Sequence, residues 1–342
     1  MSGNKGPTLR EIAEIAGVST ATVSRALRSD LRQSKETRDR IQKIARKVGY
    51  QFDPLLSQNM SLIRRREAPS IRGTLAYVNG CLNQRELKNN IQYLHGAQRR
   101  AKTYGYKVDH IWYDRKVMTQ SRFHKILLAR GIKGLLIAPL FELTETLDLP
   151  WDQFASVAYG FTLERPPLHV AADDHSEAMQ LALKMLRKKG YRRIGFVTEE
   201  RMEAQSRQLW LSSFHLDLQG RPRIERVPPL LLGMRSINQM KSWYKKYKPE
   251  AVICSGVGTR YFRKFHDENK GIPSYINLEV KMKKFPNDTG IRQRAEEVGA
   301  IGVDVVMEQI LHNQVGIPED PRVTMTQPIW NEGTSAPALI QK

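Results

Sequence analysis

Two cysteines in 342 residues, Cys81 and Cys254, are too few for a disulfide framework or a cysteine-built metal centre. Acidic residues are also scarce, 35 Asp and Glu against 55 Lys and Arg, for a formal net charge of +20. No apolar run approaches the ~18 residues that a membrane span requires. The opening stretch MSGNKGPTLREIAEIAG lacks the long apolar core of a secretory leader. These absences point to a reducing, cytoplasmic setting without a membrane partner. The chain also lacks a P-loop, an HExxH, a GxSxG, a CxxC and a GxGxxG, and Gly256-Val257-Gly258 is missing the third glycine of the last. The eight histidines fall at no ligand spacing. Asp173-Asp174-His175, in a strand-to-helix connection, reads as a helix cap rather than a metal site. No catalytic residue, metal or cofactor is therefore expected.

What is present is positive charge, unevenly spread. Residues 1–66 hold 14 Lys and Arg against 6 Asp and Glu, a net +8, while the remaining 276 residues carry +12. Such a balance favours a polyanionic partner, nucleic acid before anionic membrane. Arg64-Arg65-Arg66 runs into Glu67-Ala68-Pro69-Ser70, whose Pro and Ser mark a connector. The predicted organisation is a headpiece over 1–52, a hinge and linker over 53–70, and a core over 71–342.

Three short helices are legible in the headpiece. Thr8-Leu9-Arg10-Glu11 is a capping box with Thr8 as N-cap, and Leu9, Ile12, Ala13 and Ala16 follow at helical spacing. Gly17 ends that helix and Ser19 caps a second over Thr20–Leu27, with Val23, Ala26 and Leu27 inward. Ser34 caps a third, with the apolar stripe Ile41, Ile44, Ala45 and Val48. Helix, tight glycine turn, short helix is the helix-turn-helix arrangement. A helix of about 12 Å, at 1.5 Å per residue, fits the major groove, where base edges are distinguishable. The outward positions are Thr20, Ala21, Thr22, Ser24 and Arg25. Hydroxyls at a helix N-terminus suit phosphate oxygens, and an arginine can engage guanine in a bidentate contact. Further on, Asp53-Pro54 starts another helical pattern, with Leu55, Leu56, Asn59, Met60 and Ile63 on one side, too short to be stable alone.

TLREIAEIAGVSTATVSRAL followed by SKETRDRIQKIARKVGY closely resembles the headpiece of the LacI family of bacterial transcription regulators. By position, the resemblance assigns Thr20, Ala21 and Arg25 to base reading and Ser19, Thr22 and Ser24 to phosphate contact. Ala21 can offer only apolar contact, for example to a thymine methyl. In the family the segment matching 53–63 is a hinge helix that orders on the operator and wedges leucines into the minor groove. Here Asn59 stands where the wedging leucine is usual. Either Met60 does the wedging or Asn59 reads a minor-groove acceptor, with Leu56 alongside and Arg64 reaching phosphates beyond.

From Ile71 the pattern alternates strands and helices. Strands are expected at 73–78, 107–112, 134–138, 155–159, 193–197, 251–254 and 274–278, and helices at 89–104, 121–130, 176–189, 205–218, 238–247 and 292–312. Alternation of this kind implies doubly wound parallel sheets in two lobes with a cleft at the carboxyl ends of the strands. RGIKGLLIAP, ADDHSEAMQLALKMLRKKGYRRIGFV, VGAIGVDVVMEQILHNQVGIP and IWNEGTS resemble segments of the family's periplasmic-binding-protein-like core, so the resemblance covers roughly residues 8–335. It implies a first lobe of about 71–162 with 300–325 and a second of about 163–299 with 326–342. Strand ends nominate Asn79, Phe141, Tyr159, Asp173, Glu199, Ser255, Glu279 and Asp288 for the effector site. Trp210 stands where sugar-responsive members carry a gripping arginine, Arg207 lies one turn earlier, and Ser255-Gly256 replaces the family's frequent Asn-Asp.

The expected function is a homodimeric repressor that binds a near-palindromic duplex operator in the nucleoid under control of a small-molecule effector, with a sugar as the implied class. The rival readings are a solute-binding receptor and an α/β enzyme using the same cleft. The +12 outside the headpiece and hinge has two candidate explanations, sequence-independent attraction to DNA or an anionic effector.

Overall fold

The computed structural model describes residues 9–27, 34–48, 71–80, 84–114, 117–140, 147–233, 237–268, 274–281 and 284–339. The chain divides into two compact units, Met1–Ser70 and Ile71–Lys342.

The first unit contains α1 (Leu9–Ala16), α2 (Thr20–Leu27) and α3 (Lys35–Lys47). Ile12, Ala13 and Ala16, Val23 and Ala26, and Ile41 and Ala45 form its core, with Val18, Ile44 and Val48 at the margin. The turn between α1 and α2 is a Schellman closure. The Gly17 N–H donates to the Glu14 carbonyl at 3.3 Å and the Val18 N–H to the Ala13 carbonyl at 3.0 Å. Gly17 makes this possible at φ +61°. The Thr22 N–H donates to Ser19 Oγ at 3.1 Å and the Thr37 N–H to Ser34 Oγ at 3.2 Å, so both expected caps form. From α3, Arg40 and Gln42 donate at 3.3 Å to the Ala16 and Ala26 carbonyls, which have no partner within their own helices.

The second unit holds two six-stranded sheets. In the first lobe, β1 (Gly73–Asn79), α4 (Gln84–Thr103), β2 (Tyr106–Trp112), α5 (Gln120–Ala129), β3 (Ile132–Ile137), β4 (Ala155–Tyr159) and β5 (His169–Asp173) alternate. The chain then enters the second lobe with α6 (His175–Lys188), β6 (Ile194–Glu199), α7 (Glu200–Gln205), α8 (Leu209–Gln219), β7 (Leu230–Leu232), α9 (Ile237–Tyr247), β8 (Ala251–Cys254), α10 (Gly256–Glu268), β9 (Ser274–Asn277) and β10 (Gly290–Arg292). It returns to the first lobe through α11 (Ala295–Leu311) and β11 (Val323–Thr326) and ends in the second with β12 (Ile329–Asn331). The strand orders are β11-β5-β4-β3-β1-β2 and β12-β10-β9-β8-β6-β7. All pairings are parallel except β10 with β12. Helices on both faces explain why central strands such as β4, β5 and β8 are buried along their whole length.

Pairing moves the lobe boundaries. β5 runs beside β4, so the first crossing follows Asp173 rather than falling at 163. All of α11 lies over the first sheet, with Val298, Val303 and Val306 in its core, which moves the second crossing from 300 to about 294. The third falls between β11 and β12, one or two residues beyond the expected 325. The helix expected over 205–218 is two helices, broken where Arg207 and Gln208 adopt φ of +53° and +59°. α4 and α11 touch backbone to backbone: a Cβ on Gly96 would lie 1.8 Å from the Glu296 carbonyl oxygen, and one on Gly299 2.1 Å from that of Tyr93.

At Gly17 an added Cβ would meet no atom within 4 Å, so the cost of Gly17→Ala is the left-handed backbone alone. The variant is expected to lose about 1–2 kcal/mol of headpiece stability. In the full-length protein this reads as amide hydrogen exchange about 5- to 30-fold faster at Val23 and Ile41, with core amides unchanged. Equal exchange rates would show that the turn does not need a positive φ.

Candidate nucleic-acid interface and interlobe site

In α2, Val23 and Ala26 face the headpiece core, and by helical periodicity positions 21, 24 and 25 lie on the opposite face. Thr20 is exposed and Thr22 half-buried. Ser19 does double duty. Its Oγ accepts from the Thr22 N–H and shares a second hydrogen bond with Thr22 Oγ1 at 2.9 Å, so both hydroxyls gather at the positive end of the helix dipole. Such an end suits a phosphate. The side chains of Ala21, Ser24 and Arg25 lie outside the described residues, as do Thr8, Leu56, Asn59, Met60 and Arg64 entirely.

The interlobe face is built by strand ends, and the ten residues nominated there have separate fates. Asp173 ends β5 and is 8% exposed. Its Oδ1 accepts from the backbone N–H of Arg294 at 2.9 Å and from Thr326 Oγ1 at 3.1 Å. Asp173, Arg294 and Thr326 stand at the first, second and third crossings between the lobes. One carboxylate therefore ties together every covalent connection on which the lobes can move. Burial raises the Asp173 pKa, and the two hydrogen bonds oppose that rise. The neighbouring Asp174 caps α6 by accepting from the Glu177 N–H at 2.9 Å.

Glu199 ends β6 and accepts the Val257 N–H at 2.7 Å, capping α10. That seat explains Ser255-Gly256: a Cβ at Gly256 would lie 2.4 Å from Glu199 Oε1, and Ser255, fully buried, shares a 2.6 Å hydrogen bond with Thr198. Glu279 follows β9. Burial raises its pKa and the charges of Glu199 and Asp173 raise it further, while Lys281 and the Gly256 N–H act the other way. Three carboxylates from both lobes thus share one region. Tyr93, on α4, feels Asp173 and Glu279 and has its phenol pushed well up, mainly by burial.

The remaining candidates have surroundings of their own. Tyr159 is buried and donates to the Gly299 carbonyl at 2.8 Å, which holds α11 to the first sheet. Asp288 belongs to a network inside the second lobe. It accepts from Arg263, from Tyr275 Oη at 2.9 Å and from Asn277 Nδ2 at 3.0 Å. Trp210 is 1% exposed within the second-lobe core, edge-on to His175 at 4.8 Å. Asn79 is buried at the end of β1 and Phe141 lies outside the described residues. Arg207 is exposed and places its guanidinium 5.0 Å from the centre of the Phe161 ring. Of the two positions singled out by the resemblance, Arg207 is thus an exposed cation over an aromatic ring and Trp210 a core residue.

Two further ionisable groups are strongly shifted by burial. His175, under Phe161 and Trp210, has its pKa pushed down to about 4 by burial and is neutral at physiological pH. Glu203, 3% exposed on α7, accepts the Leu211 N–H at 3.2 Å, and burial pushes its pKa up to about 7. Its sequence context, EERMEAQ, is that of a solvated helix, and only the return of α8 buries it. Cys254 is buried with its thiol pushed up to about 12, a packing residue. Among the described residues no group of His, Cys, Asp and Glu could hold a metal ion, and no helix is long and apolar enough to cross a membrane.

A helix-turn-helix unit joined to a two-lobed, doubly wound core defines a DNA-binding regulator with a ligand-binding core. Residues 8–53 match the family model described as bacterial regulatory proteins, lacI family. The HTH-type transcriptional regulator PtxS of Pseudomonas plecoglossicida is 23% identical over 319 residues, covering 90% of each chain. Among solved structures, a transcriptional regulator CelR–cellobiose complex aligns with TM-score 0.53 at 17% identity over 96% of this chain and 100% of its own. A lac repressor dimer bound to operator and the anti-inducer ONPF aligns with TM-score 0.51 at 18% identity over 96% and 99%. Residues 8–53 are thus a headpiece of the lacI type, and the chain over most of its length is similar to regulators that carry one.

Glu203 supplies a pH test. Its folded-state pKa, about 7, lies above its ordinary value of 4.5, so the folded protein holds a proton that the unfolded chain releases in between. Stability from this group is full below about 4.5 and is lost as pH rises through 7. Glu203→Gln is therefore expected to match wild type near pH 4.5 and to be more stable by about 1–3 kcal/mol above pH 7, each pKa unit being worth about 1.4 kcal/mol. Urea midpoints at pH 4.5, 6 and 8 decide it, and a difference independent of pH would refute the assignment.

Proposed function

We propose that the protein is a cytoplasmic, homodimeric repressor that reads a near-palindromic operator and is released or recruited by a small effector at the interlobe face. The observation that carries this reading is the capped, core-braced α2 in a lacI-type headpiece, in one chain with a two-lobed core whose three crossings meet at Asp173. In this reading Thr20, Ala21 and Arg25 meet base edges, Thr8, Ser19, Thr22 and Ser24 meet phosphates, and Leu56, Asn59, Met60 and Arg64 serve the minor groove. Glu199 and Glu279, with Arg207 over Phe161, form the effector face. Carboxylates accept from hydroxyls, and an aromatic–guanidinium pair stacks on a ring, so a neutral polyhydroxyl ligand such as a sugar suits it. The cellobiose held by the CelR relative supports that class. The clustered carboxylates oppose an anionic effector. A ligand with unequal affinity for two lobe arrangements shifts their populations and with them DNA affinity.

Footprinting of the full-length protein on genomic fragments is expected to show paired half-sites about one helical turn, or a multiple of it, apart. Arg25→Ala is expected to relax preference at one position of each half-site by about 1–3 kcal/mol. Protection without twofold symmetry, or an Arg25→Ala loss that is equal for every sequence, would contradict this reading.

A further inference from the structure

The positive charge of the core is confined to one lobe. The first lobe, 71–173 with 294–326, holds 16 Lys and Arg against 15 Asp and Glu, whereas 174–293 holds 24 against 12. Nor is it on the interlobe face, where Asp173, Glu199 and Glu279 gather. Within the second lobe, the two faces of the sheet differ again. On the α6–α8 face the arginines are matched by acids: Arg187 and Arg221 reach Asp217 at 2.5 and 2.8 Å, and Arg192 reaches Glu225 at 3.5 Å.

On the other face, α9 and α10 pack into one cluster around Val197, Val252 and Cys254, α9 through Met240 and Trp243 and α10 through Phe262. α9 has no acidic residue, and those of α10 are its last two, Asp267 and Glu268. Lys241, Lys245, Lys246, Lys248, Arg260 and Lys264 are exposed there. Lys241 and Lys245 stand at i and i+4 on one side of α9, about 6 Å apart along its axis, and Lys248 follows the end of the helix at φ +43°. Tyr244, Tyr247 and Tyr261 lie half-buried on the same two helices. Lysines are point charges without the planar fork that reads guanine, so a row of them recognises charge density rather than sequence. Duplex DNA supplies one negative charge per ~1.7 Å of axis, and the headpiece class of this chain already brings it to DNA.

We propose that the α9–α10 face of the second lobe is a second, sequence-independent binding surface for the phosphate backbone of duplex DNA. The probe is a random-sequence duplex of about 40 base pairs without the footprinted operator, titrated by fluorescence anisotropy with the full-length protein between 50 and 200 mM salt. A charge-neutral variant carries Lys241→Gln, Lys245→Gln, Lys246→Gln and Lys248→Gln together. It is expected to bind at least ~10-fold more weakly at 50 mM salt, with a log–log salt slope smaller by about 2–4, since each lost phosphate contact removes about 0.9. The corresponding quadruple Lys→Arg variant keeps wild-type affinity, which separates charge from folding. A charge-matched control on the α6–α8 face, Lys184→Gln, Lys188→Gln, Lys189→Gln and Arg221→Gln, is expected to change the slope by less than 1. An unchanged slope in the α9 variant, or an equal change in the control, overturns the proposal. So does tighter binding of polyglutamate than of a duplex of equal charge, which would assign the face to an acidic protein.

Discussion

The hydrogen bonds of one buried carboxylate organise the core. The lobes are joined by three strands of chain, and any motion of one against the other must turn about them. Asp173 sits on the first and holds Arg294 on the second and Thr326 on the third. The arrangement is tightened by the Asp174 N–H, which donates to the Thr326 carbonyl at 3.1 Å. A carboxylate removed from water is costly unless hydrogen-bonded, and here its two donors lie on the other two crossings. Loss of either donor would leave a buried charge under-solvated. The interaction thus links the registry of three distant chain segments to a single energetic requirement, and Glu279, which senses the same charge, connects that hinge to the interlobe face.

Much of the headpiece is legible because its signals are local. Ser19 and Ser34 lie next to the helices they cap, and Gly17 closes the turn it adjoins. The central strands of the core are legible as apolar runs between helical patterns. The short strands β7, β10, β11 and β12, at three or four residues each, carry too little periodicity to be read, and their place comes from pairing with distant partners. β5 lies outside the strands expected from the sequence, and its pairing with β4 displaces the first crossing.

Site residues divide on the same principle. Strand ends bring Glu199 and Glu279 near Asp173, because topology alone puts parallel strand ends together. What each carboxylate does there depends on groups far along the chain: Asp173 on partners 121 and 153 residues away, and Asp288 on Arg263, 25 residues away on α10. The net charge of +20 resolves in the same way. Its share in the core is a property of one lobe's outer surface, while the face between the lobes is acidic. Composition cannot distinguish these, since the fold decides which charges neighbour one another.

The central claim is that Asp173 acts on the crossings as a clamp rather than as an ordinary buried polar residue. A double-mutant cycle on the full-length protein, with Asp173→Asn and Thr326→Val alone and together, measures it through urea unfolding of the core. The account predicts a coupling energy of about 1 kcal/mol or more between the two sites. Losses that add to within about 0.3–0.5 kcal/mol would mean that the two residues act independently, and the clamp would be contradicted.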